Sequence, residues 1–158
     1  MSPLFELGVR GHDFGTMSAA VLADKIHDAG FTTLQLALAK ALDHQDLGPG
    51  QLDAAKAGAI SATFRARGIK ISVLGCYINP VEQDTSKRTA SIRRFADHLA
   101  VAQAMGNPVV GTETGWIGKE GDAGDRAETR SSATLSRFMD TLAGLIQIAR
   151  NHGVRIAI

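Results

Sequence analysis

Residues 65–76 read RARGIKISVLGC, and the change of texture at Gly68 decides how the chain folds. Before the glycine the sequence has the charged, alanine-spaced character of a helix tail. After it comes a short apolar run with β-branched residues, which reads as a buried strand. A glycine just past a helix supplies the left-handed residue that ends it. The same sentence is written three more times, as HDAGFTTLQLAL at 27–38, AQAMGNPVVGTE at 102–113 and ARNHGVRIAI at 149–158. The glycines therefore recur roughly every 40 residues, the length of one strand, one helix and their loops.

Helices fill the intervals. Ser18 can cap one with Leu22, Ile26 and Ala29 on one face, and Leu52, Ala55, Ala59 and Ala62 form a second stripe. Ile92, Phe95, Ala96, Leu99 and Ala102 form a third. Leu135, Phe138, Met139, Leu142, Ile146 and Ala149 form a fourth, behind Ser131 or Ser132 as cap. With a first strand at Leu4 to Val9 and a fifth opening at Val154, strand and helix alternate throughout. Such alternation means a parallel sheet carrying helices.

The helix-to-strand connections are short, whereas the strand-to-helix loops are long and hold the reactive side chains. In parallel α/β folds those loops, at the carboxyl ends of the strands, build the active site. His12, Asp13, His44, Asp46, Asn79, Glu82, Glu113 and Trp116 are expected on that face.

Two architectures satisfy the alternation. One is a five-stranded, flavodoxin-like doubly wound sheet. The first strand-to-helix loop, RGHDFGTM, is neither a dinucleotide fingerprint nor a P-loop, and no acidic pair follows the first strand. The other is a single incomplete (β/α)₈ barrel over residues 1–158, about four βα units and a fifth strand. The closing VRIAI, an apolar strand just begun, favours it. A barrel predicts the strand order 1-2-3-4-5 with every helix on the outer face. It also predicts that inward residues such as Leu7, Leu36, Val73 and Val110 lack an opposing layer, so the chain is expected to self-associate.

Composition narrows the partners. The 44% hydrophobic and 21% charged residues are globular values, and a net charge of +1 without a basic stripe argues against nucleic acid. The single cysteine, Cys76, excludes an intrachain disulfide and fits a reducing compartment. MSPLFELGVRGHDFG lacks the pattern of a signal peptide, and no apolar run approaches the roughly 20 residues of a membrane span. A soluble, cytoplasmic protein is expected.

Residues 73–115, VLGCYINPVEQDTSKRTASIRRFADHLAVAQAMGNPVVGTETG, resemble the third and fourth strand-helix units of the sugar isomerase/epimerase superfamily with a xylose-isomerase-like barrel. The likeness rests on a CYxNP turn ending the third strand and a GTETG ending the fourth. GVRGHDF at 8–14 and LxxLxxxAxxxGVxIAI at 142–158 are similar to the first and fifth strands of that family. The resemblance implies a ketose, inosose or related polyol as substrate, with a proton moved between carbons next to a carbonyl. It also implies a divalent metal, manganese, magnesium or zinc, held by Glu, Asp, His and Glu from the fifth to eighth strands. The first of those glutamates would follow Ile158 directly, so this chain alone is expected to hold no metal tightly. A dehydratase is a close variant. An endonuclease-IV-like phosphodiesterase ranks lower, because Cys76-Tyr77 and Thr112-Glu113 stand where that branch has histidines. The rival class is a non-catalytic half-barrel.

Among the residues present, Glu113 is the catalytic candidate, since a carboxylate at the end of an apolar strand must meet ligand, partner or solvent. Pairing with a neighbouring strand is the equal alternative. Asn79 offers a sugar hydroxyl both donor and acceptor, although turn-making before Pro80 explains it slightly better. His12 is a candidate sugar ligand oriented by Asp13, with a turn capped by Asp13 as the equal alternative, and Tyr77 and Trp116 are candidate stacking surfaces, with core packing close behind. His44, between Asp43 and Asp46, reads as a solvated loop, and Cys76 as a small buried hydrophobe.

Overall fold

The computed structural model describes residues 6–43, 50–106, 108–118 and 126–158. Five strands, β1 (Gly8–Arg10), β2 (Thr33–Leu36), β3 (Lys70–Gly75), β4 (Val109–Gly111) and β5 (Ile156–Ala157), form one parallel sheet in the order β1-β2-β3-β4-β5. Four long helices follow the first four strands: α1 (Ala19–Asp28), α3 (Ala54–Arg65), α4 (Thr85–Val101) and α6 (Ser132–Asn151). The short helices α2 (Leu38–Ala41) and α5 (Arg126–Thr129), and a 3₁₀ turn at Gly11–Phe14, occupy the strand-to-helix loops and were not legible as periodic stretches. Helix α1 touches α3, α3 touches α4 and α4 touches α6, so the helices make one continuous layer. A doubly wound sheet would place β1 inside the order and divide its helices between two faces. The barrel order holds.

Local chemistry sets the element ends as anticipated. Gly30, Gly68, Gly106 and Gly153 all have positive φ and close the helices before β2 to β5. Ser18 caps α1 and Ser131 caps α6, each accepting from a backbone N–H three residues on. Asp53 and Asp84 do the same for α3 and α4. The N–H groups of Lys87 and Ser86 hold the Asp84 carboxyl below its ordinary range, Lys87 contributing most. Among the described residues, no helix is long and apolar enough to cross a membrane.

Register decides which side chains meet the helices. Leu36, Leu74, Val110 and Ile156 pair across four strands, and the first three are fully buried beneath the helix layer. Leu36 and Val110 therefore do not face the barrel interior as expected. The opposite face carries Thr33, Gln35, Val73 and Val109, all half-buried, and Leu7 is 73% exposed. A bulge in β3 after Ile71 shifts the alternation by one residue, which no pattern within a single strand reveals.

Two helix faces also differ from the sequence stripes. In α3 the buried residues are Ala57, Ile60, Ser61 and Phe64, while Ala55 and Ala59 are exposed. Alanine carries little hydrophobic free energy, so the bulky Ile60 and Phe64 set the phase. In α6 the buried face is Thr134, Thr141, Leu145 and Ala149, and Leu135 and Met139 stand 59% and 53% exposed. This helix is apolar on two sides and packs only one against α4. Leu145→Ala is expected to cost about 2–5 kcal/mol by cavity formation. Leu135→Ala should stay within about 0.5 kcal/mol. Urea unfolding of the two variants checks this, and equal losses would mean that the second face is covered in solution.

Candidate active site

The loop after β3, Cys76 to Glu82, has backbone groups that no strand pairs, and side chains from three elements satisfy them. Arg94 Nη2 donates to the Tyr77 carbonyl at 2.7 Å, and Thr112 Oγ1 accepts from the Ile78 N–H at 3.3 Å. Thr141 Oγ1 donates to the Pro80 carbonyl at 3.1 Å, and Arg137 Nη1 reaches the Val81 carbonyl at 3.4 Å. Arg88 donates to the carbonyl of Glu82. Helices α4 and α6 thus hold the loop on one side and β4 on the other.

Asn79 joins this loop to the one after β4. Its Nδ2 donates to the Trp116 carbonyl at 2.8 Å, while Oδ1 accepts from the N–H groups of Trp116 at 3.2 Å and Val81 at 3.3 Å. Three of its four hydrogen-bonding positions are thereby engaged with backbone. Asn79 thus acts in positioning the two loops, the turn-making side of its reading, and keeps one Nδ2 hydrogen unengaged among the described residues. Gly115 makes the clamp possible: its φ is +83°, and a Cβ there would overlap Asn79 Oδ1 and meet Pro80 Cδ at 2.9 Å.

These loops enclose an open cleft of about 460 Å³ whose lining includes Lys40, Tyr77, Asn79, Arg94, Glu113 and Trp116. Four of the five candidate site residues meet there. Glu113 is exposed and makes no hydrogen bond or ion pair among the described residues. Of the outcomes anticipated for its carboxylate, contact with solvent is the one observed. Trp116 is half-buried. Tyr77 folds back over Gly75, whose missing side chain leaves the space, and its hydroxyl accepts from Gln35 Nε2. Lys40 Nζ lies 4.7 Å from the centroid of the Tyr77 ring.

His12 stands apart from this cleft, in the turn after β1, with its Nδ1 buried and unpartnered among the described residues. Asp13 does not orient it. Its carboxylate pairs with Arg10 Nε at 3.0 Å, because the intervening turn puts these two residues on the same side. His44 and Asp46 lie outside the described residues. Among those described, no three His, Cys, Asp or Glu side chains converge as a metal site.

A smaller cavity of about 90 Å³ shares Lys40, Tyr77 and Arg94 with the cleft and adds Ala37, Gly75, Cys76 and His98. Burial pushes the Cys76 thiol up to about 12, against the opposing pull of Arg94, so the sulfur is a neutral hydrophobe and no nucleophile. Lys40 and Arg94 were missed as site residues. Lys40 belongs to no motif, and Arg94 is the arginine of an RxxxxLxxAxxxG spacing over 94–106 whose partner only folding reveals, by bringing α2 and α4 to the same turn.

The family model of the xylose isomerase-like TIM barrel matches residues 23–158. The chain belongs to that family. No curated protein matches it. Among solved structures, a D-psicose 3-epimerase in the presence of D-fructose matches with a TM-score of 0.69 and 15% identity, over 98% of this chain and 52% of the other. A 3-keto-D-glucoside 4-epimerase from E. coli matches at 0.70 and 13%, over 96% and 54%. The IolI protein with a bound zinc atom matches at 0.65 and 17%, over 97% and 50%. This xylose isomerase-like barrel chain thus spans about half the length of the structures it matches.

His98 gives the barrel a pH signature. Its Nδ1 lies 2.8 Å from the Arg94 carbonyl, which can only accept, so Nδ1 carries the proton. Burial holds the imidazole below its ordinary range; the hydrogen bond and nearby Asp97 oppose this, and Arg94 reinforces it. The unfolded chain therefore takes up a proton that the fold refuses, and stability falls as pH drops below about 6.5. The Asp84 contribution is lost only lower, below about 4. Chemical denaturation from pH 7 to 5 should show the slope, and His98→Gln should flatten it.

Proposed function

We propose that this chain supplies part of the active site of a sugar isomerase or epimerase that moves a proton between carbons next to a carbonyl, on a ketose, inosose or related polyol. One observation carries the proposal. In a barrel of this family, an open cleft at the carboxyl ends of β3 and β4 combines an unpaired carboxylate, Glu113, with the aromatic faces of Tyr77 and Trp116. A sugar offers hydroxyls to the first and apolar C–H faces to the others. Glu113 would exchange the proton or hold the hydroxyl beside it, and Asn79 would fix the Trp116 loop. His12, outside this cleft in the turn after β1, would meet only a part of the substrate that extends beyond it. The solved relatives named as sugar epimerases support the substrate class.

A divalent metal, manganese, magnesium or zinc, is the cofactor expected for the family, and the zinc-bound relative supports that expectation. The side chains described here do not by themselves fit a complete site, so no step is routed through it. The expected behaviour is that the chain alone neither binds metal tightly nor turns over a sugar. Supplying the remaining strands, fused or as a second polypeptide, should create activity toward a ketose panel followed by NMR. In that assembly Glu113→Gln should lower kcat/KM by about a hundredfold or more. An unchanged rate in that variant would remove Glu113 from the chemistry.

A second reading, a half-barrel that associates, is favoured by the uncovered side of α6. Leu135 and Met139 continue through Leu142 and Ile146 into a groove of about 220 Å³ formed with Val154, Ile156 and Ile158. We expect the chain to sediment as a dimer or larger species at micromolar concentration, and Met139→Glu to shift it toward monomer. A wild-type chain that remains monomeric counts decisively against association.

A further inference from the structure

Two buried side-chain polar atoms lack a hydrogen-bond partner among the described residues, His12 Nδ1 and Arg94 Nε. Arg94 is the more informative. Its Nη2 holds the Tyr77 carbonyl, but no carboxylate of the described residues lies within ion-pair distance of its guanidinium. A second cation, Lys40, stands over the Tyr77 ring and likewise has no ion-pair partner among them. Both line the outer cleft and the small inner cavity, whose other walls include the side chains of Ala37 and Ala39 and the neutral Cys76.

Two like charges on one small cavity repel each other, and the half-buried Arg94 guanidinium has Asp97 in its neighbourhood but no carboxylate of the described residues in ion-pair contact. An anion between them offsets the repulsion and supplies that contact, and an apolar wall strengthens its attraction to each. Arg94 Nε, with the Arg94 guanidinium beside the Cys76 thiol, supplies a donor that no oxygen or nitrogen of the described residues accepts. Among the acidic residues, Glu82 and Glu113 line the outer cleft and not the inner cavity, while Asp97, which lines neither, lies near enough to His98 and Cys76 to act on them. An anionic group is thus drawn toward the Lys40–Arg94 end and repelled from the other, while neutral hydroxyls are free to face Glu113. Ser91 adds a hydroxyl to the same cleft.

We propose that Lys40 and Arg94 form an oxyanion subsite that takes the phosphate or carboxylate of a sugar-derived substrate; the sugar part of this statement rests on the function proposed above. The subsite fixes the direction in which such a molecule lies, with its charged end against α2 and α4 and its hydroxyls toward β4.

The test is a binding titration of the full chain, by calorimetry and by amide chemical shifts, with four probes: fructose 6-phosphate, glucuronate, fructose and inorganic phosphate. At least one anionic sugar should bind about tenfold more tightly than fructose, the gain typical of hydrogen bonds to charged groups. That preference should shrink in high salt and be largely lost in Lys40→Met, an exposed position where folding is not at stake. Arg94→Lys, which keeps the charge but not the fork, should weaken it further in a chain whose circular dichroism is unchanged. The phosphate and carboxylate arms identify which group the subsite prefers. Inorganic phosphate binding as well as fructose 6-phosphate would keep the subsite and count against the sugar. Fructose binding as well as its phosphate would keep the sugar and overturn the subsite. Failure of every probe to shift the amides around Lys40, Cys76 and Arg94, or a preference untouched in Lys40→Met, also overturns it.

Discussion

Beyond the Cys76 N–H, which donates to Gly111 of β4, the backbone of the loop to Glu82 must be hydrogen-bonded without a strand to pair with, and this requirement organises the functional face. Buried carbonyl and N–H groups left alone are costly, so irregular chain below the surface has to borrow partners from side chains. Here the lenders are Arg88 and Arg94 from α4, Arg137 and Thr141 from α6, and Thr112 just after β4. Each bond fixes loop and helix to each other. Helices α4 and α6 consequently do more than cover the sheet: they hold the shape of the cleft in which Tyr77 and Glu113 sit. Asn79 extends the same logic to the next loop, and Gly115 is the residue that lets it come close enough.

This arrangement explains what was legible in the sequence and what was not. Strand-helix alternation, the terminating glycines and the serine caps are local, encoded within a few residues, and the structure reproduces them. Tyr77, Asn79, Glu113 and Trp116 were placed on one face because all four follow strand ends in a parallel sheet. Their actual partners were hidden. Asn79 meets Trp116 across 37 residues, and Arg94 meets Tyr77 across 17, distances over which periodicity carries no information. Asp13 illustrates the converse: adjacency to His12 suggested a pair, but the turn geometry gave its carboxylate to Arg10.

The distribution of apolar surface also departs from a simple cut through a barrel. Barrel interiors are usually filled by layers of bulky branched side chains. The interior face here alternates small and polar positions, with Thr33, Gln35, Gly75 and Gly111 beside Val73 and Val109, and Tyr77 lies back across the gap at Gly75. Its Gln35 bond closes a polar contact inside that face. The uncovered apolar side chains are concentrated instead along α6 and around β5. A partner packed on this chain would therefore gain most of its hydrophobic contact at the lateral edge of the helix layer, and comparatively little through the interior.

That asymmetry bears on how the site could become reactive. Glu113 stands in solvent, where a carboxylate is well hydrated and its interactions with a substrate are screened. Lys40 and Arg94, by contrast, already line a cavity with largely apolar walls. The two ends of the cleft thus differ in their surroundings: the basic end lies against apolar walls, whereas at the acidic end the charge acts at full strength only where water is excluded. β5 pairs with β4, the strand that Glu113 follows, whereas Lys40 and Arg94 come from α2 and α4. Packing along the edge formed by α6 and β5 would therefore bear first on the surroundings of Glu113.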